Sequence, residues 1–163
     1  ITRQARNWDI GIIAGVPAWV QLLMEKVIDH YKVETIHDIW PNLRIYTHGG
    51  VSFEPYRKSF TRFFKYPVHF IEMYPASEGF FAFQAEPDVR YMKLIADNGI
   101  FYEYIPFDEK NFDSAGEVLP DAKALSIEEV EDNKDYALVL STCSGAWRYL
   151  IGDTVRFVDK DRC

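Results

Sequence analysis

Apolar positions along this chain fall into two textures, a helical one near the start and an alternating one through the rest. Trp19, Val20, Leu23, Val27 and Tyr31 recur at helical spacing, with Glu25, Lys26 and Asp29 on another face. That pattern predicts an amphipathic helix opening at Pro17, after the apolar run Ile10–Val16. Proline suits the first turn, where the N–H it lacks would have no helical partner. Leu43–Thr47 then alternates like a strand and ends at His48-Gly49-Gly50. Ser52 reads as an N-cap for a helix over Pro55–Phe64, with Tyr56, Phe60 and Phe63 facing inward. Val68–Met73 reads as a buried strand ending at Tyr74. Strand, glycine loop, helix and strand over residues 35–80 make one βαβ unit, and hence a parallel pair.

After Gly79 the pattern changes. Phe80–Gln84, Tyr91–Ile95 and Gly99–Ile105 read as three strands, with Asp97-Asn98-Gly99 as a hairpin turn between the last two. Residues 107–125 are charged, are broken by Gly116 and Pro120, and read as a surface loop. Ser126-Ile127-Glu128-Glu129 has capping-box spacing. Tyr136–Thr142 and Thr154–Val158 are further strands, with Gly152-Asp153 at a strand junction. The expected fold is α/β: a βαβ parallel-sheet lobe over residues 1–79, then an antiparallel β-rich partial barrel over residues 80–163.

Composition narrows the classes. With 163 residues, 48% of them hydrophobic and 16% aromatic, the chain can pack one ordinary domain or two small lobes. A net charge of -7 argues against a nucleic-acid partner, because phosphate binding needs clustered Lys and Arg. No run approaches the roughly twenty apolar residues of a membrane span, and no signal peptide is visible. The two cysteines, Cys143 and Cys163, make neither a disulfide framework nor a metal cluster, which points to a reducing cytoplasm. The chain opens at Ile1 without Met and stops just after a strand-like run, as a piece of a longer protein would.

Candidate chemistry concentrates in Tyr74-Pro75-Ala76-Ser77-Glu78-Gly79, directly beyond the carboxyl end of a strand, where open α/β sheets bind ligands. Tyr74 offers a ring for stacking, Ser77 a hydroxyl for an anion, and Glu78 an oxygen ligand for a hard cation. Gly79 would let backbone approach a ligand. The plainer alternative is a turn with Ser77 as its cap and Glu78 in solvent. Gly49 and Gly50 serve close approach to a bound group or a turn with positive φ. Asp153 serves as a turn cap or as acceptor for two neighbouring hydroxyls, and Arg148 as an ion-pair partner or a phosphate ligand. His30, His37, His48 and His69 show no metal spacing, and only His48 sits in a candidate site loop.

Taken together and in order, these stretches resemble the acyl-acid amido synthetases, the auxin-responsive Gretchen Hagen family and its bacterial branch, within the adenylate-forming superfamily. Tyr74–Gly79 is similar to the family's Tyr-x-x-Ser-Glu-Gly motif, and Trp147–Val155 to its second signature, Tyr-Arg-x-Gly-Asp-x-Val. Gly15–Trp19, Trp40–Asn42, His48–Val51, Pro55–Arg57 and Asn98–Glu103 fit in order and context. Two positions depart: Leu150 stands where the second signature has Arg, and Pro75 where a small or polar residue is usual.

The resemblance implies adenylation of a carboxylic acid by ATP with Mg²⁺, followed by amide formation with an amino acid. Coenzyme A would replace the amino acid if the chain were an acyl-CoA ligase of the same superfamily. A non-enzymatic domain with an unused nucleotide site is the other alternative. By resemblance, Tyr74 would stack on adenine, Ser77 would bond an α-phosphate oxygen, Glu78 would hold Mg²⁺ and Asp153 would bind the ribose hydroxyls. Gly49, Gly50 and His48 would lie along the acyl-adenylate, and Val16, Pro17 and Trp19 would wall the acyl pocket. Both lobes would belong to one larger N-terminal domain. The family's phosphate loop would precede residue 1 and its lid domain would follow Cys163, so the chain alone is expected to be catalytically incompetent.

Overall fold

The computed structural model of the chain describes residues 1–86 and 89–162, so Cys163 lies outside the described residues. The chain divides into two compact units, one of residues 1–76 with 82–92 and one of residues 77–81 with 93 onward.

The first unit is the βαβ lobe. β1 (Ile12–Ala14), β2 (Ile45–Gly49) and β3 (His69–Ala76) pair in parallel, with Ile12 opposite Ile45 and Ile45 opposite His69. Helix α1 (Pro17–Tyr31) follows β1, and α2 (Glu54–Thr61) joins β2 to β3. Pro17, Val20, Met24 and Val27 are the buried residues of α1. Each such apolar side chain contributes about 1.5–3 kcal/mol by leaving water. Trp19 stands 72% exposed, although the sequence pattern grouped it with this stripe. One residue along a helix is about 100° around it, so once Val20 faces the core Trp19 cannot.

Helix α1 ends on Lys32 at φ 52, with the Val33 N–H donating to the Ile28 carbonyl, a left-handed stop more often made by glycine. Helix α2 begins at Glu54, and its N-cap is Phe53, not Ser52. The reason is packing. Phe53 is buried at that position, 4.8 Å from Phe70 on β3 and 5.2 Å from Phe60 on α2. Tyr46 stacks flat on Phe60 at 5.1 Å, so aromatic contact holds α2 against β2. Buried His37 secures the turn that leads into β3. Its Nδ1 accepts the Lys65 and Tyr66 N–H groups at 2.9 and 3.3 Å, which leaves Nε2–H to donate to the Leu43 carbonyl at 2.9 Å. Strand β3 is half-buried over most of its length, not buried as its apolar run suggested.

β4 (Gly79–Phe83) is divided between the units. The second unit also holds β5 (Lys93–Leu94) and an antiparallel sheet of β6 (Ile100–Pro106), β7 (Asp135–Thr142) and β8 (Tyr149–Arg156), with β7 in the middle. Five consecutive residues of β7, Tyr136–Leu140, are buried.

The expected hairpin between β5 and β6 does not form, because the two strands belong to different sheets. The Ile95 N–H donates to the Phe81 carbonyl at 2.8 Å, which ties the end of β5 to β4. Asn98 donates to the Phe80 carbonyl at 2.8 Å and accepts from the Ile100 N–H at 3.2 Å, so its side chain turns the chain between sheets. Residues 107–125 are more than a surface loop. Asp113 Oδ1 accepts the Ala115 and Glu117 N–H groups at 2.8 and 2.9 Å, and Phe112 packs with Ile105, Ala137 and Val139 in a small core. Among the described residues, no helix is long and apolar enough to cross a membrane.

Candidate functional site

In the first unit the carboxyl ends of three parallel strands supply the candidate residues. β1 leads into Gly15-Val16-Pro17. The Gly15 N–H donates to the Thr47 carbonyl at 3.1 Å and its carbonyl accepts the Tyr46 hydroxyl at 2.9 Å, so this entry is fastened to β2. Val16 is exposed, Pro17 is buried in the first turn of α1, and Trp19 faces solvent.

β2 ends at Gly49, and the chain turns at Gly50 with φ +80. A methyl group on Gly49 would run into the Met73 carbonyl oxygen and come within 3.0 Å of Pro75 Cδ. Around Gly50 the space is open. The first glycine therefore permits two strands to approach, and the second permits a left-handed turn. Both structural reasons stand independently of any ligand.

His48 lies inward of that turn, 2% exposed. Its ring stacks on Phe53 at 4.3 Å and sits 5.5 Å from Tyr46. Among the described residues its Nδ1 has no hydrogen-bond partner. Burial, and then the positive charge of Arg57 on α2, push its pKa down to about 4, so the imidazole is neutral near pH 7. Glu72 stands opposite His48 on β3. Burial raises its carboxyl pKa, against a smaller pull downward from Arg57. No sequence motif marks Glu72, and Arg57 enters one only as the end of Pro55-Tyr56-Arg57. The available signal was a lone carboxylate inside an apolar strand, at the register position of the histidine.

Tyr74 lies within β3, which continues through Pro75 to Ala76, two residues beyond the expected end at Tyr74. Ser77 and Glu78 then form the turn into β4 and belong to the second unit. Ser77 is exposed and Glu78 half-buried. At Gly79 a methyl group would come within 2.5 Å of Ile100 Cδ1, the end of a side chain that can turn aside, and 3.2 Å of Phe81 Cε1.

Asp153 is exposed in the same second unit, and its setting differs from expectation. Gly152 and Asp153 lie inside β8, not between two strands. Leu150 pairs with Val139 and Thr154 with Ala137, so residues 151–153 oppose Leu138 alone. That is a bulge, and Gly152 at φ 89 supplies the backbone conformation it needs. Arg148, also left-handed at φ 46, donates from Nε to Glu103 at 3.1 Å. Of the two roles open to Arg148, the described geometry contains the ion pair.

Among the described residues, no three His, Cys, Asp or Glu side chains gather as a metal cage. Mg²⁺ carried on nucleotide phosphates needs only one or two carboxylates from protein, and a half-buried Glu78 on a two-residue turn fits that lesser demand.

Residues 93–161 match the GH3 family central domain. The chain is 30% identical over 87 residues to the indole-3-acetic acid-amido synthetase GH3.2 of Arabidopsis thaliana, a match covering 52% of this chain and 16% of that one. The solved structure of the AtGH3.15 acyl acid amido synthetase in complex with 2,4-DB shares the fold over 95% of this chain and 34% of its own, with a TM-score of 0.68 at 14% identity. The likeness to the GH3 family in sequence is carried by the segment of residues 93–161. A second GH3 relative, the jasmonoyl--L-amino acid synthetase GH3.5 of Oryza sativa subsp. japonica, is 28% identical over 127 residues, covering 72% of this chain and 22% of the relative. The chain thus corresponds to a minor part of the length of these GH3 relatives. The α/β expectation, a parallel βαβ lobe followed by antiparallel strands, agrees with the fold observed.

Proposed function

We propose that this chain is a core portion of an ATP-dependent acyl-acid amido synthetase, and that its two units are parts of one larger N-terminal domain of the active enzyme. One observation carries the reading. The Ser77-Glu78 turn and the Gly152-Asp153 bulge belong to one unit, and that unit contains the segment matched to the GH3 central domain.

In this reading Ser77 binds an oxygen of the ATP α-phosphate while the substrate carboxylate attacks that phosphorus and pyrophosphate leaves. Glu78 would hold Mg²⁺, which when bound neutralises charge on the phosphates. Tyr74 offers its ring to adenine, and Asp153 accepts hydrogen bonds from the two ribose hydroxyls. The amine of an amino acid then forms the amide and displaces AMP. Gly49, Gly50 and His48 would lie along the acyl-adenylate, and Val16, Pro17 and Trp19 would wall the acyl group. A neutral His48 suits that place, since it neither attracts nor repels the acyl carboxylate before activation.

The test is titration of the folded 163-residue chain with AMP and with Mg-ATP by calorimetry. Glu78→Ala should weaken Mg-ATP and spare AMP, whereas Asp153→Ala should weaken both, each by about tenfold, as loss of a charge-assisted hydrogen bond implies. Equal affinity in wild type and both variants would refute the assignment.

A further inference from the structure

The bulge in β8 is bracketed by two arginine contacts, and the registers on its two sides are incompatible. Downstream of it, Thr154, Val155 and Arg156 face Ala137, Tyr136 and Asp135. Upstream, Tyr149 and Leu150 face Leu140 and Val139. Continuing the downstream register without a bulge would set Leu150 opposite Ser141 and carry Arg148 two residues beyond it. Continuing the upstream register would set Thr154 opposite Asp135 and carry Arg156 two residues beyond that. Each smooth strand therefore destroys one arginine contact.

Those contacts are specific. The Arg148 N–H donates to Ser141 Oγ at 3.0 Å, and its guanidinium reaches across β7 to Glu103 Oε2 at 3.1 Å. Only 18% of the Glu103 side chain is exposed. Arg156 grips Asp135 with two bonds of 2.7 Å each. Arg148 holds its place at a positive φ that a non-glycine residue adopts at a penalty. The Arg148 N–H bond to Ser141 and the two-bond Arg156–Asp135 pair each form in one register alone, so they bias a choice that in a strand decides where every side chain points.

We propose that Arg148 and Arg156 are positioning residues that hold the two ends of β8 two residues out of step, extruding Gly152-Asp153 as the bulge that presents the Asp153 carboxylate to its ligand. The ligand part of this inference rests on the reading of Asp153 as a ribose-diol acceptor. The register part does not.

The experiment uses the 163-residue chain and AMP as probe, with two readouts. Cross-strand nuclear Overhauser contacts for Leu150–Val139 and Thr154–Ala137 report the register, and calorimetry reports AMP affinity. Arg148→Gly tolerates the positive φ, so it removes the side chain without a folding defect at that position. In Arg148→Gly the Leu150–Val139 contact should give way to Leu150–Ser141. In Arg156→Gln the Thr154–Ala137 contact should give way to Thr154–Asp135. AMP affinity should fall about tenfold in both. The charge-reversed pair Asp135→Arg with Arg156→Asp should restore both readouts, a rescue that a general loss of stability would not show. Unchanged cross-strand contacts in both single variants would overturn the proposal, as would shifted contacts with AMP affinity intact. If the wild-type chain binds no AMP, the ribose reading fails by itself, and the contacts alone decide the register claim.

Discussion

Gly49→Ala should lower the unfolding free energy of the chain by about 3 kcal/mol, near the upper end of what forcing an extra methyl into packed structure costs. The added carbon would collide with the Met73 carbonyl oxygen, which is backbone and cannot swing aside, and would press on Pro75 Cδ. β2 and β3 would have to separate where their pairing ends, at Gly49 opposite Met73. Gly50→Ala is the control. Its φ of +80 strains any other residue, but nothing lies within reach of the new methyl, so the loss there should be about 1 kcal/mol. Urea unfolding followed by circular dichroism separates the two. A milder effect at Gly49 than at Gly50 would mean that the strands are not packed as described.

The second large effect is a pH dependence set by His48. In the unfolded chain its imidazole takes up a proton near pH 6.5, whereas in the folded chain burial and Arg57 delay that to about pH 4. Between these values the unfolded state binds more protons, so stability is complete above pH 6.5 and declines as pH falls toward 4. The decline from pH 7.5 to pH 5 should be about 2 kcal/mol. Glu72, raised by burial, acts with the opposite sign, because its folded form favours the proton. The comparison is therefore between wild type and His48→Phe, which leaves Glu72 and Arg57 in place. His48→Phe keeps a ring stacked on Phe53 and removes the unpartnered nitrogen. It should gain about 1 kcal/mol at pH 7 and lose most of the slope below it. Parallel pH profiles for the two proteins would show that His48 is not the group responsible.

Much of the fold was legible because its signals are local. Pro17 and the helical recurrence of Val20, Leu23 and Val27 announced α1, and Phe60 announced the inward face of α2, whereas Phe63 packs in the same core beyond the helix, which ends at Thr61 and not at Phe64. Alternation and the glycine loop between Leu43 and Met73 announced the parallel pair. What failed depended on partners distant in sequence. Ser52 has cap chemistry, yet Phe53 takes the cap position because Phe60 and Phe70 bury its ring. Asp97-Asn98-Gly99 has hairpin chemistry, yet Asn98 bonds back to Phe80 and sends the chain into another sheet. Trp19 has the spacing of a core residue, but the helix settles with Val20 inward.

The candidate site divides in the same manner. Sequence order determined which residue types are available: a tyrosine, hydroxyl and carboxylate around one turn, a second carboxylate after a glycine, and a histidine before two more. It also determined that the Ser77-Glu78 turn and Gly50 come where a strand ends, since strand periodicity is written in neighbouring residues. Only the tertiary structure decided that Gly49 is demanded by packing, that His48 is sealed and neutral beside Arg57, and that Asp153 rides on a bulge. The physical reason is common to all three. Burial, close approach and register are set by which backbone lies across the sheet, and that backbone comes from residues tens of positions away.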